Sequence, residues 1–355
     1  MDFGALLDVD WGAIFSNTMR GLIGEQFIYF GLAAIGLNLH FGYTGLLNFG
    51  QAAFMAAGAY GLAIIVTTVS PLINDDEGIL QLGISPGWMF IIGMFFGVIV
   101  FPVILALLMG IPTLRLRADY LAIVTIAVAE IIRIFLRSPR WDWLTGSSDG
   151  LGGFSGTFYD LSPFDPGGRY LFGLFIGNQM FLVLVGWFVL ALATLLCWLI
   201  IRSPWGRVLK AIREDEDAAR SLGKNAYAYK MQALILGGIF GAMGGMIRAV
   251  GFSLAQPDNF ITDVTFFVWV ALILGGAGKV FAPVIGAALL YGVLNFTDGF
   301  LRAVVQEEVV SDNILSGTQV GQVRFMLIGL GLALLAAFRP QGIFGNKEEM
   351  ALDDR

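Results

Sequence analysis

The strongest constraint on this chain is a succession of apolar runs about 20 residues long. A helix rising about 1.5 Å per residue needs that length to cross a hydrocarbon layer about 30 Å thick. The runs fall at 22–41, 51–69, 88–112, 118–136, 179–201, 231–250, 264–278, 282–300 and 323–338. Only 14% of the residues are charged and 57% are hydrophobic, against about 25% charged in a soluble domain. The fold class that follows is an all-α polytopic integral membrane protein with about nine spanning helices, in a range of about eight to ten. The range reflects the stretch Gly275–Phe281, where two runs meet and read as broken or re-entrant pieces. The remaining divisions are an N-terminal interfacial segment at 1–20, a transmembrane domain over 21–340 and a tail over 341–355. Residues 1–20 carry Asp2, Asp8 and Asp10 and lack the basic start and small-residue cleavage site of a secretory signal.

Charge placement orients the spans, because short cytoplasmic connections concentrate Lys and Arg. The connection 202–230 holds Arg202, Arg207, Lys210, Arg213, Arg220, Lys224 and Lys230, a third of the chain's 21 basic residues. Placing it in the cytoplasm also puts Arg115, Arg117, Lys279, Arg339 and Lys347 inside. The acidic stretches Asp75-Asp76-Glu77 and Glu307-Glu308 then fall outside, as does the N-terminus, while the C-terminus lies inside. Arg133, Arg137 and Arg140 run against this bias, but they border the long segment 137–178, and long external segments cross largely regardless of charge. That segment is rich in aromatic residues, from Trp141 to Phe164, and reads as a surface-lying platform.

Two Gly-rich breaks stand in opposite halves of the chain. One runs from Gly42 to Ala52 and includes Gly45 and Gly50; the other contains Gly275, Gly276 and Gly278. Paired interruptions of this kind mark binding sites in transporters, although small residues also let two helices pack closely. Polar side chains at membrane depth are the other candidates. Asn38, Asn48 and Gln51 surround the first break, and Glu130 lies inside the fourth run with Arg133 one turn on. Each is a candidate for the translocation path, with interhelical bonding or ion pairing as the structural alternative. His40 and Cys197 are the sole His and Cys, which excludes a disulfide and any Cys-cluster metal site. A packing or interfacial role suits His40. A Walker motif fails at Ile273 and Val280, so no nucleotide site is expected, and the net charge of −6 argues against nucleic acid.

Residues 202–230 are too polar to enter the bilayer. From Trp205 to Leu222 the apolar residues recur at helical spacing and Gly223 supplies a stop, which predicts one short amphipathic helix. Here Glu216-Asp217-Ala218-Ala219 followed by Gly223 resembles the E-A-A-x-x-x-G signature of ABC importer permeases. The surrounding Gly206-Arg207, Ala211–Glu216 and Tyr229-Lys230 resemble the branched-chain amino-acid permease family, in particular its longer M-type subunit. So do Gly36–Leu39 with Gly45–Phe54, Leu114–Thr125, and Leu274–Gly278 with Pro283–Ala287. The resemblance covers roughly 22–340, with departures at Ala118, Arg248, Lys279 and Ala282. It implies a bacterial plasma-membrane permease whose coupling helix, carrying Arg213, Glu216, Ala218, Ala219 and Gly223, docks into an ATPase. It also implies two ABC ATPase subunits that hold ATP and Mg, a homologous second permease, an extracytoplasmic substrate-binding protein and surrounding lipid, with no cofactor on this chain. The implied cargo is Leu, Ile, Val or a broader apolar set, while urea and short amides are carried by similar permeases. Readings of another class are a gradient-driven channel or secondary transporter and, more remotely, a membrane-embedded enzyme.

Overall fold

A computed structural model describes residues 10–74, 83–116, 118–306, 319–338 and 342–344. Helix α1 (Trp11–Ile23) starts at Asp10, whose carboxylate accepts the Ala13 N–H at 3.0 Å. It bends at Gly24 into α2 (Glu25–Leu37), which passes into a π-helical turn, Asn38–Gly42. Residues 45–50 are not helical. Next come α3 (Gln51–Ile64), joined to α4 (Ser70–Asn74) by the π turn Ile65–Val69, and α5 (Pro86–Phe95), joined to α6 (Phe101–Thr113) by the π turn Phe96–Val100. After α7 (Ala118–Arg137) the segment leading to the next long helix holds α8 (Asp142–Thr145), β1 (Leu151–Gly152), α9 (Gly156–Tyr159), β2 (Arg169–Tyr170) and β3 (Phe175–Ile176). The second half comprises α10 (Gly177–Arg202), α11 (Pro204–Glu214), α12 (Glu216–Ser221), α13 (Ala226–Phe252), β4 (Leu254–Ala255), α14 (Thr262–Gly275), α15 (Ala282–Gln306) and α16 (Val320–Phe338). The strands form two small antiparallel pairs, β2 with β3 and β1 with β4, the latter in the register Leu151 to Ala255.

Seven helical stretches among the described residues are long and apolar enough to cross a membrane, rather than the nine expected. Helix α7 coincides with the fourth apolar run, but Asp119, Glu130, Arg133 and Arg137 interrupt it. Helix α16 contributes the shorter apolar stretch Val320–Gly331. The first crossing stretch, Trp11–Gly42, begins well before the run at 22–41, because α1 turns inward and packs along α15. Trp11 meets Phe300 there with ring centroids 6.3 Å apart. The connection at 75–82, Arg117, Glu307-Glu308, Arg339 and the tail from 345 lie outside the described residues.

The centre of the bundle is α2, α3 and α13. The stretches containing α2 and α13 bury 78% and 72% of their most apolar windows, whereas Pro86–Thr113 buries only 28% and therefore presents most of its surface outward. Contact at the centre is backbone to backbone. A Cβ on Gly58 would overlap the Ala242 carbonyl, one on Gly245 the Met55 carbonyl, and one on Gly36 the Gly237 carbonyl. Small residues permit this approach, which in lipid takes the place of a hydrophobic driving force between helices. Gly245→Val should therefore lower thermal stability in detergent by an amount typical of overpacking, about 1–3 kcal/mol. Gly87→Ala, at a helical position with open space around it, should leave the melting temperature unchanged.

Candidate functional site: a buried helix break tied to a basic loop

A break in a membrane helix leaves backbone groups that lipid cannot satisfy. Around 45–50 four protein side chains do so. The Gly50 N–H donates to Asn48 Oδ1 (2.8 Å), the Phe49 N–H to Thr125 Oγ1 on α7 (3.0 Å), and the Ala52 N–H to Thr265 Oγ1 on α14 (2.9 Å). Trp269 Nε1 donates to the Asn48 carbonyl at 3.1 Å, and its indole stacks on Phe49 with centroids 4.8 Å apart.

Asn48 also organises a fully enclosed polar knot. Its amide nitrogen donates to His40 Nδ1 (3.0 Å) and to Gln51 Oε1 (3.2 Å). His40 Nε2 lies 3.1 Å from the Leu234 carbonyl, which can only accept, so Nε2 carries the proton and Nδ1 accepts. Gln51 Nε2 in turn donates to the Ala33 and Gly237 carbonyls, at 3.1 and 3.3 Å, and so joins α3 to α2 and α13. Asn38, His40, Asn48 and Gln51 are each at most 1% exposed.

Asn38 connects the two Gly-rich breaks. The Gly278 N–H donates to Asn38 Oδ1 at 2.9 Å, and Asn38 Nδ2 donates to the Lys279 carbonyl at 2.9 Å. Gly42 sits so close that a Cβ there would lie 2.6 Å from the Gly278 nitrogen. Gly276 (φ 110°) and Gly278 (φ 83°) adopt backbone geometry that favours glycine in the turn between α14 and α15. The two Gly-rich breaks are thus in direct contact.

The basic loop folds as two helices rather than the single one expected from Trp205 to Leu222. Asp215 (φ −153°, ψ 106°) is the hinge, and its carboxylate accepts the Ala218 N–H at 2.9 Å. The acidic run Glu214–Asp217 explains the division. Carboxylates are unfavourable at a helix C-terminus and favourable at an N-terminus, so the chain breaks and starts α12 with Asp215 as cap and Glu216 and Asp217 in the first turn. Ile212, Ala219 and Ala226 form a small core under the loop. Ala219 is therefore buried, whereas Ala218 and Gly223 are exposed and Leu222 is 81% exposed. Glu216 faces inward to Arg220 (2.6 Å) and Lys230 (2.5 Å) at the start of α13. Arg213 reaches the break itself, donating from Nη1 to the Gly42 carbonyl at 2.6 Å.

Glu130 stands apart from this assembly. It pairs with Arg133, which also binds Asp258 at 2.8 Å in the turn Pro257–Phe260. Its side chain is 37% exposed. An apolar cavity of about 350 Å³ lies between α3, α6 and α7, lined by Ala56, Tyr60, Ile64, Leu105, Ile132 and Leu136 among others. The Tyr60 hydroxyl is buried without a partner among the described residues. Groups of His, Cys, Asp and Glu suited to a metal ion do not occur among the described residues. Thr265 and Trp269 escape a sequence reading because both sit inside an ordinary apolar run, whereas Thr125 closes the motif that begins at Leu114.

The family whose description reads "branched-chain amino acid transport system / permease component" matches residues 22–336. The chain belongs to this family. Among its relatives, the high-affinity branched-chain amino acid transport system permease protein LivM of Escherichia coli (strain K12) is 30% identical over 349 residues, 95% of this chain and 72% of the relative. The probable branched-chain amino acid transport permease protein LivM of Methanocaldococcus jannaschii is 24% identical, covering 92% of this chain and 94% of its own length. A nucleoside ABC transporter permease protein, NupC of Lactococcus lactis, is 29% identical over 44% of this chain. No solved structure matches the chain. In this permease family member, Asn48→Leu should cost more than any surface change. It strands His40 Nδ1, Gln51 Oε1 and the Gly50 N–H, and each buried group left unpaired costs about 1–3 kcal/mol. Glu130→Gln, in a partly exposed pair, should cost under about 1 kcal/mol in the same thermal unfolding assay.

Proposed function

We propose that this chain is the membrane permease subunit of an ABC importer for branched-chain or other apolar amino acids. The observation that carries the reading is the Arg213 bond to the Gly42 carbonyl, which ties an exposed loop to the buried break. Within this reading the connection 202–230 is cytoplasmic, the N-terminus outside and the C-terminus inside, in a bacterial plasma membrane. Leu222, Gly223 and Ala218 form the face offered to an ATPase subunit. Ala219 and Glu216 hold the loop together behind that face, and Arg213 passes its displacement to the break. Two ATPase subunits bind ATP and Mg, a second homologous permease completes the pathway, and a soluble binding protein delivers cargo from outside.

Asn38, Asn48 and Gln51 hold the break on which the loop pulls. They meet cargo only in a state where Gln51 releases the Gly237 carbonyl and α2, α3 and α13 part. In this reading Glu130, paired with Arg133, lies apart from the break, in the half of α7 that leads outward. Apolar amino acids are preferred as cargo because the relatives named for them match more than 90% of the chain, whereas the nucleoside relative matches 44%. The apolar walls of the 350 Å³ cavity, with the Tyr60 hydroxyl beside them, also suit an aliphatic side chain.

Leu222→Glu or Ala218→Glu should weaken capture of the cognate ATPase by about tenfold or more, the effect of losing an interface anchor. Folding, read by elution profile and melting temperature, should not change. Arg213→Gln should instead retain the ATPase but separate ATP hydrolysis from uptake in proteoliposomes. Uptake that continues without ATP would favour a gradient-driven carrier and overturn the reading.

A further inference from the structure

A second cavity, of about 580 Å³, opens where the basic loop meets the ends of the spanning helices. Arg202 closes α10, Arg207 and Lys210 are one turn apart on α11, and Lys279 lies in the turn before α15. All four line this cavity and, among the described residues, no carboxylate does. Arg202, Arg207 and Lys210 have no acidic partner among the described residues, and two of the loop's acids are engaged elsewhere. Asp215 caps α12, and Glu216 is held by Arg220 and Lys230.

Much of the rest of the lining is apolar, and Trp198, Ile201, Ala282 and Ile285 of it belong to membrane helices. Trp198 lies one turn inside the end of α10, with the Arg202 guanidinium 3.9 Å from its ring centroid, and Ile285 lies in the first turn of α15. Phe281, 58% exposed, stands at the mouth. The N-terminus of α15, a helix of 25 residues, borders the same space and adds favourable potential for an anion. A cavity that is cationic toward the loop and greasy toward the bilayer matches one amphiphile, a phospholipid with an anionic headgroup.

We propose that this cavity binds the phosphate headgroup of an anionic phospholipid, whose acyl chains run along α10 and α15. A bound headgroup bridges α11 to the ends of α10 and α15, and so braces the loop that grips Gly42. The inference requires only that the chain spans a membrane and is independent of cargo and energy source. A free phosphate would satisfy the cations but leave Trp198, Phe281 and Ile285 facing the bilayer without a role. An acidic protein surface would likewise pair with the cations alone.

The test is native mass spectrometry of the purified full chain with equal amounts of phosphatidylglycerol and phosphatidylcholine carrying identical acyl chains. The wild type should retain phosphatidylglycerol preferentially, and millimolar inorganic phosphate should not displace it. Arg207→Gln and Lys210→Gln should each weaken retention roughly fivefold, and together about twenty-fivefold, at about 1 kcal/mol per cation near an anionic headgroup. The charge-keeping pair Arg207→Lys with Lys210→Arg should hold the lipid within about twofold of wild type, since a headgroup is read mainly through charge here. Equal retention of the two lipids by the wild type overturns the proposal, as does unchanged preference in a folded double Gln variant. Displacement by phosphate reassigns the cavity to a free anion. Loss of ATPase capture with lipid retention unchanged reassigns it to a protein partner.

Discussion

Everything in this fold depends on satisfying one interruption in a buried helix. Between Gly42 and Gln51 the chain leaves helical geometry at a depth where water is scarce, and an unpaired N–H or carbonyl there is costly. The side chains that prevent it come from the break itself, α7 and α14: Asn48, Thr125, Thr265 and Trp269. Their positions require those helices to meet at one point. The backbone contacts of Gly36, Gly58 and Gly245 then bring α13 close enough for Gln51 to reach its carbonyl at Gly237.

The break is also the meeting place of the two halves of the chain. Asn38 joins it to the turn between α14 and α15, and Arg213 joins it to the loop between α10 and α13. A displacement of the loop therefore acts on a region that lacks the uniform i to i+4 ladder of a straight helix and is held by discrete bonds. The Arg202, Arg207, Lys210 and Lys279 cavity lies beside this junction, so an occupant there bears on the same connection.

Legibility in the sequence differed from one feature to the next, for physical reasons. Helix length and apolarity are local properties, so α3, α10 and α13 appear where hydropathy puts them. Helix α7 fell short as an apolar span because Glu130 and Arg133 serve a distant turn through Asp258, a partner 125 residues away from Arg133. The loop was legible in its amphipathic pattern but not in its hinge, because the competition between cap and dipole along Glu214–Asp217 has no signature in apolar spacing. Ala219 carried the family signature, yet whether it faces a partner or its own core depended on Ile212 and Ala226. Asn38, Asn48 and Gln51 were recognisable as a cluster near a break, but their saturation by one another, by His40 and by backbone carbonyls was not.

By itself the sequence determined that this is a multi-pass membrane protein of the branched-chain amino-acid permease family. Run length, charge scarcity and ordered motifs are all readable along one dimension. The tertiary structure decided which polar groups are spent on holding the fold and which remain available. Hydrogen bonds such as Arg213 to Gly42 and Asn38 to Lys279 join residues 171 and 241 positions apart. Only when the helices pack do these groups come within about 3 Å, and there a hydrogen bond either forms or leaves a buried group unpaired.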